Sequence, residues 1–229
     1  MLQDQPSSAP SEFLRYLARR QPAEERLPPL SQLSRELGIS VAALREQLEV
    51  ARALGLVDVR PGAGMRRRPY SFGPAVRHSL RYALAVQDSH FQKYSELRNH
   101  VEIAYWDEAI RSLTSDDKLE LKALVERART KLSANPPQVP HAEHRRLHLL
   151  IYSRLDNPFV LGLLEAFWDA YEAVGLNLYS GDMRYLHQVW EYHGRMVQAI
   201  VEADVEAGRA ALKDHVDLLA HRPEQDERN

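Results

Sequence analysis

Apolar positions recur at helical spacing through most of this chain, interrupted once by a short alternating stretch. Leu30, Leu33 and Leu37 stand three and four residues apart, which predicts a short helix that Gly38 ends. Ser40 occupies an N-cap position, and Leu44, Leu48, Ala51 and Leu54 give the buried stripe of a second helix closed by Gly55. Val57 to Arg60 then alternate apolar and polar residues, as a half-buried strand does. Pro61-Gly62-Ala63-Gly64 supplies a turn, and Met65 begins a return strand carrying Arg66, Arg67 and Arg68. Upstream, Ser11 to Arg20 predicts a first helix that points Phe13, Leu14 and Leu17 inward. Helix, tight turn, helix and strand pair make a winged helix-turn-helix, which places one helix in a DNA major groove.

The stretch Arg68-Pro-Tyr-Ser-Phe-Gly-Pro74 breaks both periodicities and marks a linker over 71–76. Beyond it the pattern is helical almost throughout, with segments expected at 74–88, 90–113, 115–134, 141–155, 157–177, 183–203 and 204–221. Asn135-Pro136-Pro137, Asn157-Pro158 and Gly181-Asp182 punctuate them. The expected fold class is mainly α: a winged helix-turn-helix over 1–70, an antiparallel all-helical bundle of six or seven helices over 77–222, and a polar tail at 223–229.

Composition sharpens the division between the two parts. The net charge of the 229 residues is −2, which by itself does not suggest a nucleic-acid binder. Residues 1–72, however, hold 11 Arg against 8 Asp and Glu, while 73–229 hold 19 Lys and Arg against 24 Asp and Glu. A basic head and an acidic body suit a DNA reader joined to a sensor. There are no cysteines, so disulfides and thiolate metal sites are excluded, in keeping with a reducing cytoplasm. No apolar run approaches the length of a membrane span and no signal-peptide pattern opens the chain; a cytoplasmic protein without a membrane partner is expected.

All ten histidines lie after residue 73. His144 and His148 are four apart on one predicted helix, so both rings share a face. His193 lies within the next-to-last long helix and His215 follows 22 residues later in the final one. If those helices form a hairpin turning near Ala203 to Glu206, the two rings lie at similar heights. Four imidazoles facing a bundle core suit a divalent transition metal with one or two positions open to water or ligand. An i, i+4 histidine pair on a helix is, on spacing alone, more often the mark of a solvated face or a hydrogen-bonded core pair.

The head resembles the DNA-binding domain of the GntR family of bacterial transcription regulators. The residues that carry the resemblance are Leu27-Pro28, Leu33, Leu37-Gly38-Ile39-Ser40, Leu44-Arg45-Glu46, Leu48, Gly55-Leu56-Val57, Val59-Arg60-Pro61-Gly62 and Gly64. The chain departs from the family pattern at Leu30 and Ser31, where Glu-Arg is usual, at Val41, where arginine is usual, and at Ala42-Ala43. The resemblance implies a double-stranded DNA operator contacted from Arg35, Ser40, Arg45, Arg60, Gly62, Arg66, Arg67 and Arg68.

Residues 77–221 similarly resemble the FCD effector domain found behind such heads, through Arg98 and Glu102, His144 and His148, Asn157, His193 and His215. The resemblance implies His148, His193 and His215 as metal ligands, with His144 where the family has an aspartate. Four neutral imidazoles favour zinc or nickel. It also implies a small carboxylate effector, with Arg98, Asn157 and Tyr152 as the effector-binding set. From the residues alone, Arg98 suits an i, i+4 ion pair with Glu102 as well as it suits a carboxylate clamp, and Asn157 before Pro158 reads first as a helix cap. Tyr152, Trp190 and Tyr192 are either pocket lining or core. The expected mechanism is a ligand-controlled homodimeric repressor or activator, not an enzyme. Two rival readings are a winged protein-interaction module with weakened DNA binding and, more remotely, a metal-dependent hydrolase using Glu143 or Glu191 as base.

Overall fold

The computed structural model describes residues 11–20, 26–175 and 183–220. The turn expected at Gly181-Asp182, the end of the segment expected at 157–177, and the tail at 223–229 lie outside the described residues. The chain divides into two compact units, residues 1–79 and 80–229.

In the first unit, α1 (Glu12–Arg19), α2 (Leu30–Leu37) and α3 (Val41–Ala53) precede β1 (Val57–Arg60) and β2 (Gly64–Arg67). The strands pair antiparallel, with Val57 opposite Arg67 and Arg60 opposite Gly64. Phe13, Leu17, Leu27, Leu33, Leu44, Leu48, Ala51, Val57 and Met65 form its core. Each large side chain buried there contributes roughly 1.5–3 kcal/mol, which is how a head this small holds together. Gly38 ends α2 at φ 67°, a left-handed conformation that glycine adopts without steric cost. One residue on, Ser40 begins α3, its hydroxyl accepting from the Ala43 amide at 3.1 Å.

The other elements among the described residues are helical: α4 (Gly73–Val86), α5 (His90–Arg111), α6 (Ser115–Leu132), α7 (His141–Ile151), α8 (Pro158–Ala170), a π-helical turn at Tyr171–Gly175, α9 (Met183–Glu202) and α10 (Val205–Ala220). Helix α4 begins at Gly73, within the stretch the sequence marks as a linker. The bundle buries Trp106, Leu121, Leu147, Ile151, Leu164, Met196, Ile200 and Leu212 among many others.

Helix starts and stops set the register of the bundle. Thr114 and Asp117 form a capping box at the start of α6, and Arg154 donates to both Asp117 oxygens at 2.9 and 3.1 Å. That links the start of α6 to the end of α7. Asn157 caps α8 by accepting from the amides of Phe159 and Val160. Between α9 and α10 the chain turns through Ala203 at φ 60°, while Ala203 and Asp204 donate to the carbonyls of Ile200 and Ala199. These are the two bonds of a Schellman end, which fits glycine better than alanine. Asp204 then caps α10 by accepting from Ala207. Gly208 allows close approach of α10 to α5, since a Cβ there would stand 2.6 Å from the Trp106 ring.

The strained alanine gives a first test. Ala203→Gly is expected to stabilise the protein by about 0.5–1 kcal/mol and raise Tm by roughly 1–4 °C in thermal unfolding. An unchanged or lower Tm contradicts the assigned turn.

Candidate metal centre and nucleic-acid face

Helix α7 turns one face to the core with Leu147, Leu150 and Ile151, and His144 and His148 lie on that face. Helix α9 buries Val189, Trp190, Met196, Val197 and Ile200, with His193 among them. Helix α10 contributes His215 beside the buried Ala211 and Leu212. The tight turn at Ala203 folds α9 and α10 into the hairpin that the 22-residue spacing requires, so His193 and His215 face each other with ring centroids 4.4 Å apart.

All four imidazoles meet in one place. Each offers a ring nitrogen, and these atoms lie within 4.8 Å of one another. His148 Nε2 and His193 Nε2 are 3.0 Å apart. Two nitrogens that share a tetrahedral zinc ion at the usual bond lengths stand about 3.3 Å apart, a few tenths of an ångström more than this pair. His148, His193 and His215 have no solvent exposure, and His144 has 9 %.

The state of these rings follows from their surroundings. Burial holds the pKa of His144, His193 and His215 well below the ordinary imidazole value, and neighbouring imidazoles and Arg98 add to it. They are therefore neutral and present lone pairs. His144 Nε2, His193 Nδ1 and both nitrogens of His215 have no hydrogen-bond partner among the described residues. Buried polar atoms are rarely left so, and a cation at the centre of the cluster would satisfy them. The donor set fits a divalent transition metal.

Beneath His148 lies an ion pair. Glu102 Oε1 is 3.1 Å from His148 Nδ1 and 3.1 Å from Arg98 Nε, and both residues are buried. Burial alone would raise the carboxyl pKa of Glu102, but Arg98 and His148 outweigh it and hold the value below the usual range. His148 is itself lowered, chiefly by burial, so a neutral ring meets a charged carboxylate. Arg98 also comes within 3.1 Å of His148 Nδ1, donates to Asn99 Oδ1 at 2.9 Å, and lies 4.7 Å over the Phe167 ring. When Nδ1–H donates its hydrogen bond to Glu102 Oε1, Nε2 is left with its lone pair aimed at the cluster. Carboxylate–histidine–metal triads are built this way.

Aromatic side chains wall the other side. His144 has its ring centroid 4.7 Å from Trp168, 6.1 Å from Tyr171 and 6.1 Å from Trp190. A cavity of about 10 Å³ reaches His144 between Val139, Pro140, Tyr185 and Leu186.

Of the expected effector set, Arg98 lies against this cluster and the other two are engaged elsewhere. Asn157 caps α8, and its amide donates to Tyr105 Oη at 3.3 Å. Tyr152 is fully buried and donates to the backbone carbonyl of Glu102 at 2.9 Å, which steadies the triad from behind. Sequence reasoning took Glu102 only as a partner for Arg98 and did not reach its bond to His148. Trp168 and Tyr171 were missed outright, because nothing in their spacing sets them apart from the core. Of the two carboxylates considered for hydrolysis, Glu143 is held by Lys131 Nζ at 2.7 and 2.8 Å, and Glu191 is exposed.

The head places its candidate DNA residues on α2, α3 and the wing. Arg45 is exposed on α3, and Ser40 is occupied in capping that helix. Arg35 is exposed, with Nε donating to the Ser31 carbonyl at 3.3 Å. Gly62 sits at the wing tip with φ 75°, beside Arg60, which pairs with Asp58 at 2.7 Å. Arg66 and Arg68 are exposed, whereas Arg67 donates to the Arg20 carbonyl and so ties the wing to α1. Arg60, Arg66, Arg67 and Arg68 line a cleft of about 310 Å³ together with Asp58, Ala63 and Gly64.

The sequence matches the FCD domain family over residues 94–218. It is 22 % identical over 202 residues to the Uxu operon transcriptional regulator of Escherichia coli K12, covering 86 % of this chain and 78 % of that one. The fold is shared with a Streptococcus agalactiae GntR structure at TM-score 0.66, with 19 % identity and coverage of 90 % and 94 %. Escherichia coli McbR/YncC aligns at TM-score 0.51 and 18 % identity, with 91 % of each chain covered. No helix among the described residues is long and apolar enough to cross a membrane.

Proposed function

The chain belongs to the FCD-domain branch of the GntR-type transcription regulators, and from that premise we propose that it is a cytoplasmic, ligand-responsive DNA-binding protein whose sensor is a metal-centred helical bundle. The winged head, residues 1–70, reads the operator, and residues 77–222 do the sensing. The observation that carries the sensor reading is the convergence of His144, His148, His193 and His215, four buried imidazoles whose ligand atoms lie within 4.8 Å. These residues would hold a divalent transition metal, zinc or nickel, which would supply a fixed positive charge and a rigid link between α7, α9 and α10. Glu102 orients His148 for that purpose, and Arg98 keeps Glu102 ionised.

A small carboxylate effector belongs to the same family reading. Its support is the Arg98 guanidinium, 3.1 Å from His148 and able to offer paired donors to a carboxylate. Such an acid would have to take Arg98 from Glu102.

The head works as one half of a homodimer, because a single short recognition helix makes too few base contacts for useful specificity. Arg45 is the side chain of α3 placed to read a base edge. Arg45→Ala is expected to cost about 1–3 kcal/mol of operator affinity and to relax sequence preference at one position of each half-site. Titration against operator and scrambled duplexes checks this. Unchanged affinity and preference would overturn the assignment of α3 as the reading helix. Weak binding to every duplex alike, with no dependence on salt, would favour the protein-interaction reading instead.

A further inference from the structure

The chain just before α2 runs along the free edge of the wing. Leu27 donates to the Met65 carbonyl at 2.9 Å, and Arg26 forms an antiparallel bridge with Arg66. Leu27 and Met65 belong to the core of the head, so Arg26, Gly64 and Arg66, which alternate with them, are turned to solvent. Asp58 lies opposite Arg66 on its other side. Residues directly opposite each other share a face, so the outer face of the wing reads across as Asp58, Arg66 and Arg26.

The charges on that face are unevenly matched. Arg60 is bound to the Asp58 carboxylate at 2.7 Å, and Arg67 is committed to the Arg20 carbonyl. The guanidinium groups of Arg26 and Arg66 have no hydrogen-bond or ion-pair partner among the described residues. Like charges set directly opposite each other destabilise a sheet, and an anion held between them relieves the repulsion. Gly64 leaves room for one. A Cβ there would stand 3.5 Å from Arg26 Nε and Nη2, so the guanidinium lies over bare backbone. At φ 80° that position favours glycine, which keeps the backbone bare. Gly64 lines both the arginine-walled cleft of about 310 Å³ and a second cleft of about 670 Å³ that Arg26 also lines.

We propose that Arg26 is part of the DNA face and, beside Arg66, binds a backbone phosphate of the duplex at the root of the wing. The inference rests on the DNA-binding reading above and adds to it a residue that sequence reasoning passed over, since Arg26 stands one place before the Leu27-Pro28 that opens the recognisable motif. A planar guanidinium offers paired donors to a phosphate, and such contacts fix the register of a protein on DNA without reading its sequence. Arg26 therefore contributes affinity and salt dependence, and Arg45 contributes preference.

The test uses the full chain, a duplex that it selects from a random pool, and a scrambled duplex. The parent, Arg26→Ala, Arg26→Lys and Arg111→Ala are titrated with both duplexes over a range of KCl concentrations. Arg111 is an exposed residue of the body, so its loss controls for net charge. Arg26→Ala is expected to bind both duplexes roughly three- to tenfold more weakly, with a salt slope shallower by about 0.9 and an unchanged preference between them. Arg26→Lys keeps the parent slope, Arg111→Ala behaves as the parent, and all four melt together because the Arg26 guanidinium has no partner to lose. A slope for Arg26→Ala equal to that of the parent or of Arg111→Ala overturns the inference and leaves the DNA-binding reading standing. So does a loss confined to the selected duplex, which would make Arg26 a base reader, or a lowered melt shared with Arg26→Lys, which would assign it to folding. A parent chain that binds neither duplex removes the DNA-binding reading itself, and this inference with it.

Discussion

Stripping the purified protein with a chelator is expected to lower its melting temperature by about 8–16 °C, and one equivalent of zinc is expected to restore it. An ion that binds only the folded state stabilises it by about 4 kcal/mol when free metal stands a thousandfold above its Kd. For a chain of this size each kcal/mol moves Tm by roughly 2–4 °C. The effect should be large because the protein without the ion must keep several imidazole nitrogens buried and unpaired, including both of His215. His148→Ala together with His193→Ala should abolish the zinc response, since these two rings bring their Nε2 atoms within 3.0 Å of each other. The variant should still show a cooperative transition from the head, whose core shares no residue with the cluster. A melt that ignores both chelator and zinc would contradict the assigned site.

Glu102→Ala is expected to destabilise the protein by about 3–5 kcal/mol in urea unfolding. The substitution leaves Arg98 charged, 3 % exposed and without its carboxylate. The cost lies in breaking the pair more than in the absence of charge. Replacing both partners, as Arg98→Met with Glu102→Met, should therefore recover most of the lost stability. The two changes separate stability from metal positioning. The double variant regains the fold but loses the carboxylate that orients His148, so its zinc affinity should stay roughly 10–100-fold below that of the parent. Zinc affinity restored along with stability would mean that Glu102 acts only through folding.

The fold was open to reading from the sequence because its signals are local. The leucine spacing of α2 and α3, the caps at Gly38 and Ser40, and the alternation over Val57–Arg60 each determine one element within a few residues. Among the described residues the helices of the body keep close to their expected starts, with ends adjusted by caps such as the Thr114–Asp117 box. The histidine cluster was legible in part, since the i, i+4 pair and the 22-residue spacing across a hairpin are geometric statements that the chain itself contains. What faced the cluster was not. Glu102 is 46 residues from His148, and Trp168 and Tyr171 arrive on an element whose buried face looks like any other. Arg67 shows the same limit in the head. It sits in a run of three arginines that suits phosphate contacts, yet its side chain is committed to the end of α1, 47 residues away.

Metal content per chain tests the central claim most directly. The parent protein and the His148→Ala, His193→Ala double variant would be expressed in zinc- and nickel-supplemented medium, purified without chelator and analysed by elemental mass spectrometry. The account predicts close to one zinc or nickel per parent chain and almost none in the variant. Equal metal in both proteins, or none in either, would contradict it.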